Sequence, residues 1–270
     1  MLELYHHGSS VCAAKVRFAL AEKGLEWTGH YLDILKGDQF DSAYMALNPK
    51  AVVPTFVHDG RVLVESTAIC EYIDETFPNP PLMPKDAYLR HQVRLWTKAV
   101  DEELHPACGV VTFAVSHRHT VARLGKAELE EFLSKTPAQS VTANWKAWKR
   151  QVIEHGLDTP LAVEKLQLYD AYLRKMNDAL MSKDWIACET FSLADIGLAP
   201  YVNRLAAMGM SPMWEGGRYP RVEDWFRRIV ARPTFNPTFV DWMPQSLTED
   251  LNTNGRRSWP EIAAILSIAA

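Results

Sequence analysis

The sequence predicts a small α/β domain followed by an all-helical one. Three observations carry this: the element order β-α-β-α-β-β-α can be read within residues 1–78, a proline-rich stretch occupies 79–85, and helical periodicity without a convincing strand follows. Residues 2–5 alternate apolar and polar as a strand, and Gly8-Ser9-Ser10 turns into a helix over 11–23 that Gly24 stops. Residues 27–35 read as a second strand and 39–47 as a short helix broken by Asn48-Pro49, which makes the first two strands a parallel pair with a crossover helix. Residues 54–58 and 61–64 flank Asp59-Gly60, a strong hairpin signal, and Ser66 starts a helix that runs to about 77. Beyond the linker, the periodicity predicts helices over 88–117, 158–181, 192–208 and 222–230, with a less defined stretch between 125 and 156. The second domain is therefore drawn over 86–243. The tail, 244–270, is polar at first and apolar over 262–268, so a short helix packing back on the body is expected.

Composition narrows the function classes. The chain has 270 residues, 47% apolar and 23% charged, enough to bury a substantial core. A net charge of −4 gives no basic footprint for nucleic acid, and no run of about 18 apolar residues is present to enter a membrane, so neither is an expected partner. The opening Met1-Leu2-Glu3-Leu4-Tyr5 lacks the charged start and apolar run of a secretory signal, and a cytoplasmic location is expected. Cys12, Cys70, Cys108 and Cys188 lie far apart with no C-x-x-C pair, which reads as free thiols. His6-His7 and His117-Arg118-His119 have no companions spaced to complete a cage, so no metal is expected.

Four motifs carry chemistry or architecture. Tyr5-His6-His7-Gly8-Ser9-Ser10-Val11-Cys12 sets two hydroxyls and a thiol at the start of the first helix. Asn48-Pro49-Lys50-Ala51-Val52-Val53-Pro54 is a loop ending in proline where a strand begins, and Glu65-Ser66-Thr67-Ala68-Ile69 joins a strand end to a helix start. Ser192-Leu193-Ala194-Asp195 is a capping box with Asp in place of the usual Glu or Gln, and is structural. Together these resemble the glutathione transferase family up to about Asp241, with a serine-bearing turn like that of the theta, delta and zeta types. The resemblance implies a thioredoxin-like N-terminal domain, an all-α C-terminal domain, glutathione as cosubstrate and a homodimer. Within the family, residues 94–102 and the long segment before Asp158 are most similar to bacterial glutathione-dependent β-etherases that cleave lignin-derived aryl ethers. The pattern departs at one place: the serine of those etherases falls near Ala13.

The chemistry requires a thiolate. A thiol of pKa about 8.5 is only a few per cent ionised at neutral pH, and lowering it by about 1.5 units takes about 2 kcal/mol. A hydroxyl at a helix N-terminus supplies a donor and a positive potential together. By resemblance Ser9 ranks first for this role, Ser10 second and Cys12 third; Cys12 is alternatively a nucleophile that forms a mixed disulfide with glutathione. Capping of the first helix explains Ser9 and Ser10 equally simply, and burial in the core explains Cys12. The resemblance gives Val53 a backbone role toward the cysteinyl unit, with Pro54 cis behind it. Glu65, Ser66 and Thr67 are candidates for the γ-glutamyl zwitterion, with helix capping the alternative for Ser66; Gln39 and Lys50 are candidates for the glycyl carboxylate and Asp101 for a neighbouring subunit's glutathione, with plain surface placement the alternative for each of these three. Pro106, Val110, Phe113 and Ala114 are the expected apolar wall for a small apolar or aromatic electrophile. Two rival functions stand beside the transferase: a Cys12-dependent thiol transferase or peroxidase, and a non-catalytic ligand-binding protein.

Overall fold

The computed structural model describes residues 1–123, 125–137 and 145–268. Strands β1 (Leu2–His6), β2 (Thr28–Tyr31), β3 (Thr55–His58) and β4 (Arg61–Leu63) form one sheet in the order β2-β1-β3-β4, parallel between β1 and β2 and antiparallel elsewhere. Helix α1 (Val11–Glu22) makes the crossover, and α2 (Ser42–Leu47) and α3 (Ser66–Thr76) complete this half. The β3–β4 turn places Asp59 and Gly60 at φ 49° and 78°, as an Asp-Gly hairpin requires.

Two predicted elements are shorter than expected, for local reasons. The second strand ends at Tyr31 because Asp33 and Asp38 begin to compete for backbone donors: Asp38 accepts from the Asp33 N–H at 2.7 Å and Asp33 from the Leu35 N–H at 3.2 Å. The helix expected over 39–47 is split into a single 3₁₀ turn and α2, which is capped by Asp41 accepting from the Ala43 N–H at 2.8 Å.

From Ala87 onward the described structure is helical. Helices α4 (Ala87–Ala99), α5 (His105–Thr112) and α6 (Arg118–Ala122) run on from one another through π-helical turns at Val100–Leu104 and Phe113–His117. A π turn widens the helix, and the first of them precedes Pro106, whose missing N–H cannot serve an α-helical bond. The remaining helices are α7 (Lys126–Lys135), α8 (Trp145–His155), α9 (Pro160–Ala179), α10 (Leu193–Ala207), α11 (Pro220–Val230) and α12 (Gln245–Ile265). The Ser192–Asp195 capping box is formed at the start of α10.

The tail is a 21-residue helix rather than a short one. Its stripe of Leu247, Leu251, Asn254, Gly255 and Ile262 is buried, Gly255 lying so close to the Met208 carbonyl that an added Cβ would sit 1.8 Å from its oxygen. Asp250 on α12 accepts from Thr120 Oγ1 at 3.1 Å and pairs with Arg123, which pins the tail beside the second π turn. The segment before α12 folds over the Gly8 turn. Arg17, buried in α1, donates to the Thr238, His7 and Gly8 carbonyls at 2.9, 3.1 and 3.2 Å, and a Cβ at Gly8 would lie 2.1 Å from the Trp242 oxygen. Only glycine fits there.

Candidate active site

A cavity of about 320 Å³ separates the Gly8–Val11 turn from α5. Its sheet-side wall comprises His7, Ser9, Ser10, Val11, Ile34, Leu35, Gln39, Phe40 and Ala51 to Val53, and its helical wall includes His105, Cys108, Gly109, Thr112, Phe113, His117, Lys149 and Arg204. A smaller cavity of about 170 Å³ lies behind the same turn, between α10 and the 235–251 segment, and shares Ser9, Ser10, Val11 and Arg204 with the larger.

The two serines are differently engaged. Ser10 is the N-cap of α1, its Oγ accepting from the Ala13 N–H at 3.1 Å, and its own proton is not used by that bond. Ser9 is buried and tied to the helical domain: Arg204 donates to its carbonyl and, at 3.0 Å, to its Oγ, while His117 Nε2 stands 3.3 Å from the same oxygen. Burial, reinforced by Arg204 and Lys149, pushes the His117 pKa well below its ordinary value, and the ring is neutral. Burial alone brings Lys149 down to about 7.

Cys12 is outside the cavity lining and meets His105, which belongs to it: His105 Nδ1 is 3.4 Å from the sulfur, with the Tyr201 hydroxyl at 3.8 Å. Burial pushes this thiol up, but His105 and Lys15 outweigh it and bring the pKa down to about 6. Cys12 in turn raises His105 against the opposing effect of burial. Cys12 is thus a thiolate near neutral pH, and His105 is pushed toward its charged form.

At the other end of the sheet-side groove, the Val53–Pro54 peptide is cis, and Asn48 Nδ2 donates to the Val52 carbonyl at 2.9 Å to hold the loop. Glu65 has φ 69°, and its carboxylate pairs with Lys50 at 2.6 Å, so Lys50 stands at Glu65 and outside the cavity wall. Ser66 opens α3. Thr67 Oγ1 accepts from Lys15 Nζ at 3.0 Å and donates to Asp101 at 3.0 Å, and Lys15 pairs with Asp101 at 2.8 Å. Asp101, expected to look toward a neighbouring subunit, thus bonds within its own chain. Gln39 lines the cavity, donating to the Ile34 carbonyl at 3.2 Å while its buried Oε1 has no partner.

The expected apolar wall is corrected by the helix phase. Phe113 lines the cavity, whereas Val110 and Ala114 are core residues and Pro106 is exposed outside the wall. The face presented runs through His105, Cys108, Gly109, Thr112 and His117. Choosing the most apolar positions picked the face that packs on the domain core. No motif in the sequence singles out His105, Lys149 or Arg204, and His117 stands out there only as part of His117-Arg118-His119. The one signal in the sequence is Arg204 itself, a charge inside the run Leu198 to Ala207, whose residues are apolar apart from the adjacent Asn203.

Residues 4–81 match the glutathione S-transferase N-terminal domain and residues 141–228 the corresponding C-terminal domain. The chain belongs to the glutathione S-transferase family. It is 29% identical over 255 residues to protein LigF of Sphingobium sp. strain SYK-6, covering 93% of this chain and 96% of LigF. The crystal structure of that β-etherase superposes with a TM-score of 0.78 at 28% identity, covering 88% of this chain and 98% of the other. Glutathione S-transferase Z1 of Arabidopsis thaliana is 46% identical over 89 residues, a third of this chain (33%) and 40% of that protein. A glutathione transferase from Burkholderia graminis, solved with two glutathione molecules per subunit, shares the fold at a TM-score of 0.66 and 21% identity, over 89% of this chain and 88% of its own.

Proposed function

We propose that this chain is a glutathione transferase whose bound glutathione thiolate attacks an apolar or aromatic electrophile, with cleavage of a β-aryl ether as the reaction best matched by its full-length similarity to LigF. The observation that carries the reading is the convergence, on one cavity, of the hydroxyl-bearing start of α1, the backbone before cis-Pro54 and a mixed helical wall. The cysteinyl unit would lie against Val53 as an added strand, with its γ-glutamyl end toward Glu65, Ser66 and Thr67 and its glycyl end toward Gln39. Lys50 would reach the glycyl carboxylate only by leaving Glu65.

Thiolate formation needs about 2 kcal/mol for a pKa drop of about 1.5 units. A hydroxyl donating to a charged sulfur contributes about 1.5–3 kcal/mol and the helix N-terminus about 0.3–1 kcal/mol, so the two suffice. Ser10 has its proton available while capping α1. With the His117 proton on Nε2, Ser9 accepts from both His117 and Arg204, and its own proton is likewise left for sulfur. In ether cleavage the sulfur forms a bond to the carbon bearing the aryloxy group, that C–O bond breaks with its electron pair going to oxygen, and the aryloxide leaves to take a proton from water. The protein supplies binding, orientation and anion stabilisation. The family resemblance also carries a homodimer.

The test is product analysis with an arylglycerol-β-aryl ether. Phenol release that depends on glutathione and a matching thioether product are expected; no glutathione-dependent release refutes the ether specificity. The Cys12–His105 pair favours a second reading, a thiol transferase or peroxidase working through Cys12, under which Cys12→Ser abolishes turnover. Glutathione affinity without any turnover would mark a binding protein.

A further inference from the structure

The inner end of the cavity holds basic side chains whose hydrogen-bonding capacity is only partly used there. Arg204 is 7% exposed, and two of its contacts, to the Ser9 carbonyl and hydroxyl, come from Nη2; the other terminal nitrogen, Nη1, is buried without a hydrogen-bond partner. A buried guanidinium N–H left unmatched calls for an explanation, because native structures satisfy nearly all such groups. Lys149, 9% exposed, lines the same cavity with its ammonium 3.6 Å over the Phe113 ring. Arg204 and Lys149 both act on His117, which lies in the same wall and is held neutral by burial and by these two cations. His7, the other buried histidine there, is also neutral, its Nδ1 accepting from the Ser9 N–H, and its nearest carboxylate is Asp33 at 3.9 Å. His105 is engaged with Cys12. Among the described residues that line the cavity none is an Asp or Glu. Ile34, Leu35, Phe40, Val52 and Phe113 supply apolar surface facing this charge.

We propose that Arg204, assisted by Lys149, is an anion subsite that selects electrophiles in which an aromatic or apolar body carries a carboxylate. The inference rests on the proposed function in taking this cavity as the electrophile site. A guanidinium offers a carboxylate its unused N–H in a dry setting where a charge-assisted bond is strong. The apolar walls accept the ring, and the anion answers the guanidinium N–H of Arg204 that has no hydrogen-bond partner. Arg204 stands in the wall shared by both cavities, whereas Lys149 belongs only to the larger, so Lys149 reports which cavity the carboxylate occupies.

The experiment is calorimetric titration of the full chain with 2-naphthoate and with its neutral isostere 2-naphthamide, each with and without saturating glutathione. The expected result is a preference for naphthoate of about tenfold or more, the equivalent of about 1.4 kcal/mol, reduced severalfold in Lys149→Gln and abolished in Arg204→Gln. Arg204 also holds Ser9, so the wild-type comparison and Lys149→Gln decide the matter if Arg204→Gln does not fold. Equal affinities for the two ligands in the wild-type protein overturn the subsite, as does a preference that Lys149→Gln leaves unchanged. Glutathione binding in the same titrations separates the two claims. A naphthoate preference without glutathione binding sustains the subsite and sinks the transferase reading, and glutathione binding without a preference does the reverse.

Discussion

Replacing His105 by alanine should remove much of the stabilisation that keeps Cys12 a thiolate at neutral pH. The sulfur lies 3.4 Å from His105 Nδ1 and its pKa is brought from 9.0 to about 6 against the opposing effect of burial. Three units correspond to about 4 kcal/mol of preference for the anion, and at pH 7 they separate about 90% thiolate from about 1%. Lys15 and Ser66 remain after the substitution and keep part of the effect. We therefore expect the inflection to rise by at least about one unit, leaving half or less of Cys12 ionised at neutral pH. The assay is thiolate ultraviolet absorbance against pH, taken as the difference from Cys12→Ser. Burial pushes Cys70 up to about 12 and also raises Cys108, so neither contributes near neutrality. An inflection near the ordinary thiol value in the wild-type protein, or one that His105→Ala does not move, refutes the reasoning.

Two stability predictions follow from buried polar groups. Asp195 is fully buried and accepts from the Ile186 N–H at 3.1 Å, Trp225 Nε1 at 2.9 Å, and the Ser192 N–H and hydroxyl at 3.0 and 3.1 Å. Asp195→Ala strands these four donors at about 1–3 kcal/mol each, so a loss of about 4 kcal/mol or more is expected in urea unfolding, and a loss of about 1 kcal/mol or less contradicts it. Burial also pushes the His6 pKa down to about 3, His7 to about 4 and His117 well below its ordinary value. Because the folded values lie below the unfolded 6.5, the unfolded chain binds more protons: this stability is present above pH 6.5 and is lost as pH falls, by about 2 kcal/mol each for His6 and His7 at about pH 5, with His117 acting in the same direction. A thermal midpoint unchanged between about pH 7.5 and about pH 5 would show that these rings are not held neutral.

What was legible in the sequence is what local chemistry specifies. Asp59-Gly60 announces its turn, Ser192 and Asp195 announce their helix start, and the alternation in residues 2–5 announces a strand, because each depends on neighbours within a few positions. The polar wall of the cavity was not legible, since Ser9, His117 and Arg204 are brought together from three elements far apart in the chain. Nor did periodicity reveal the two π turns that interrupt the long helix, and the apolar face it highlighted, through Val110 and Ala114, packs inward. The tail shows the same limit: Gly255 and the apolar spacing of Leu247 and Leu251 make sense as a helix only against the Met208 carbonyl and the neighbouring helices that the fold supplies.

The central claim is that this site binds glutathione and holds its sulfur as a thiolate by a serine hydroxyl at the start of α1. The most direct measurement is calorimetric titration with glutathione, paired with thiolate absorbance of the complex against pH, for the wild-type chain and for Ser9→Ala, Ser10→Ala and Cys12→Ser. The account predicts that the wild-type protein and Cys12→Ser bind glutathione with its thiol pKa lowered from about 8.5 by about 1.5 units, and that one serine variant binds but loses most of this shift. Absence of glutathione binding, or a bound thiol that titrates like free glutathione, would contradict it.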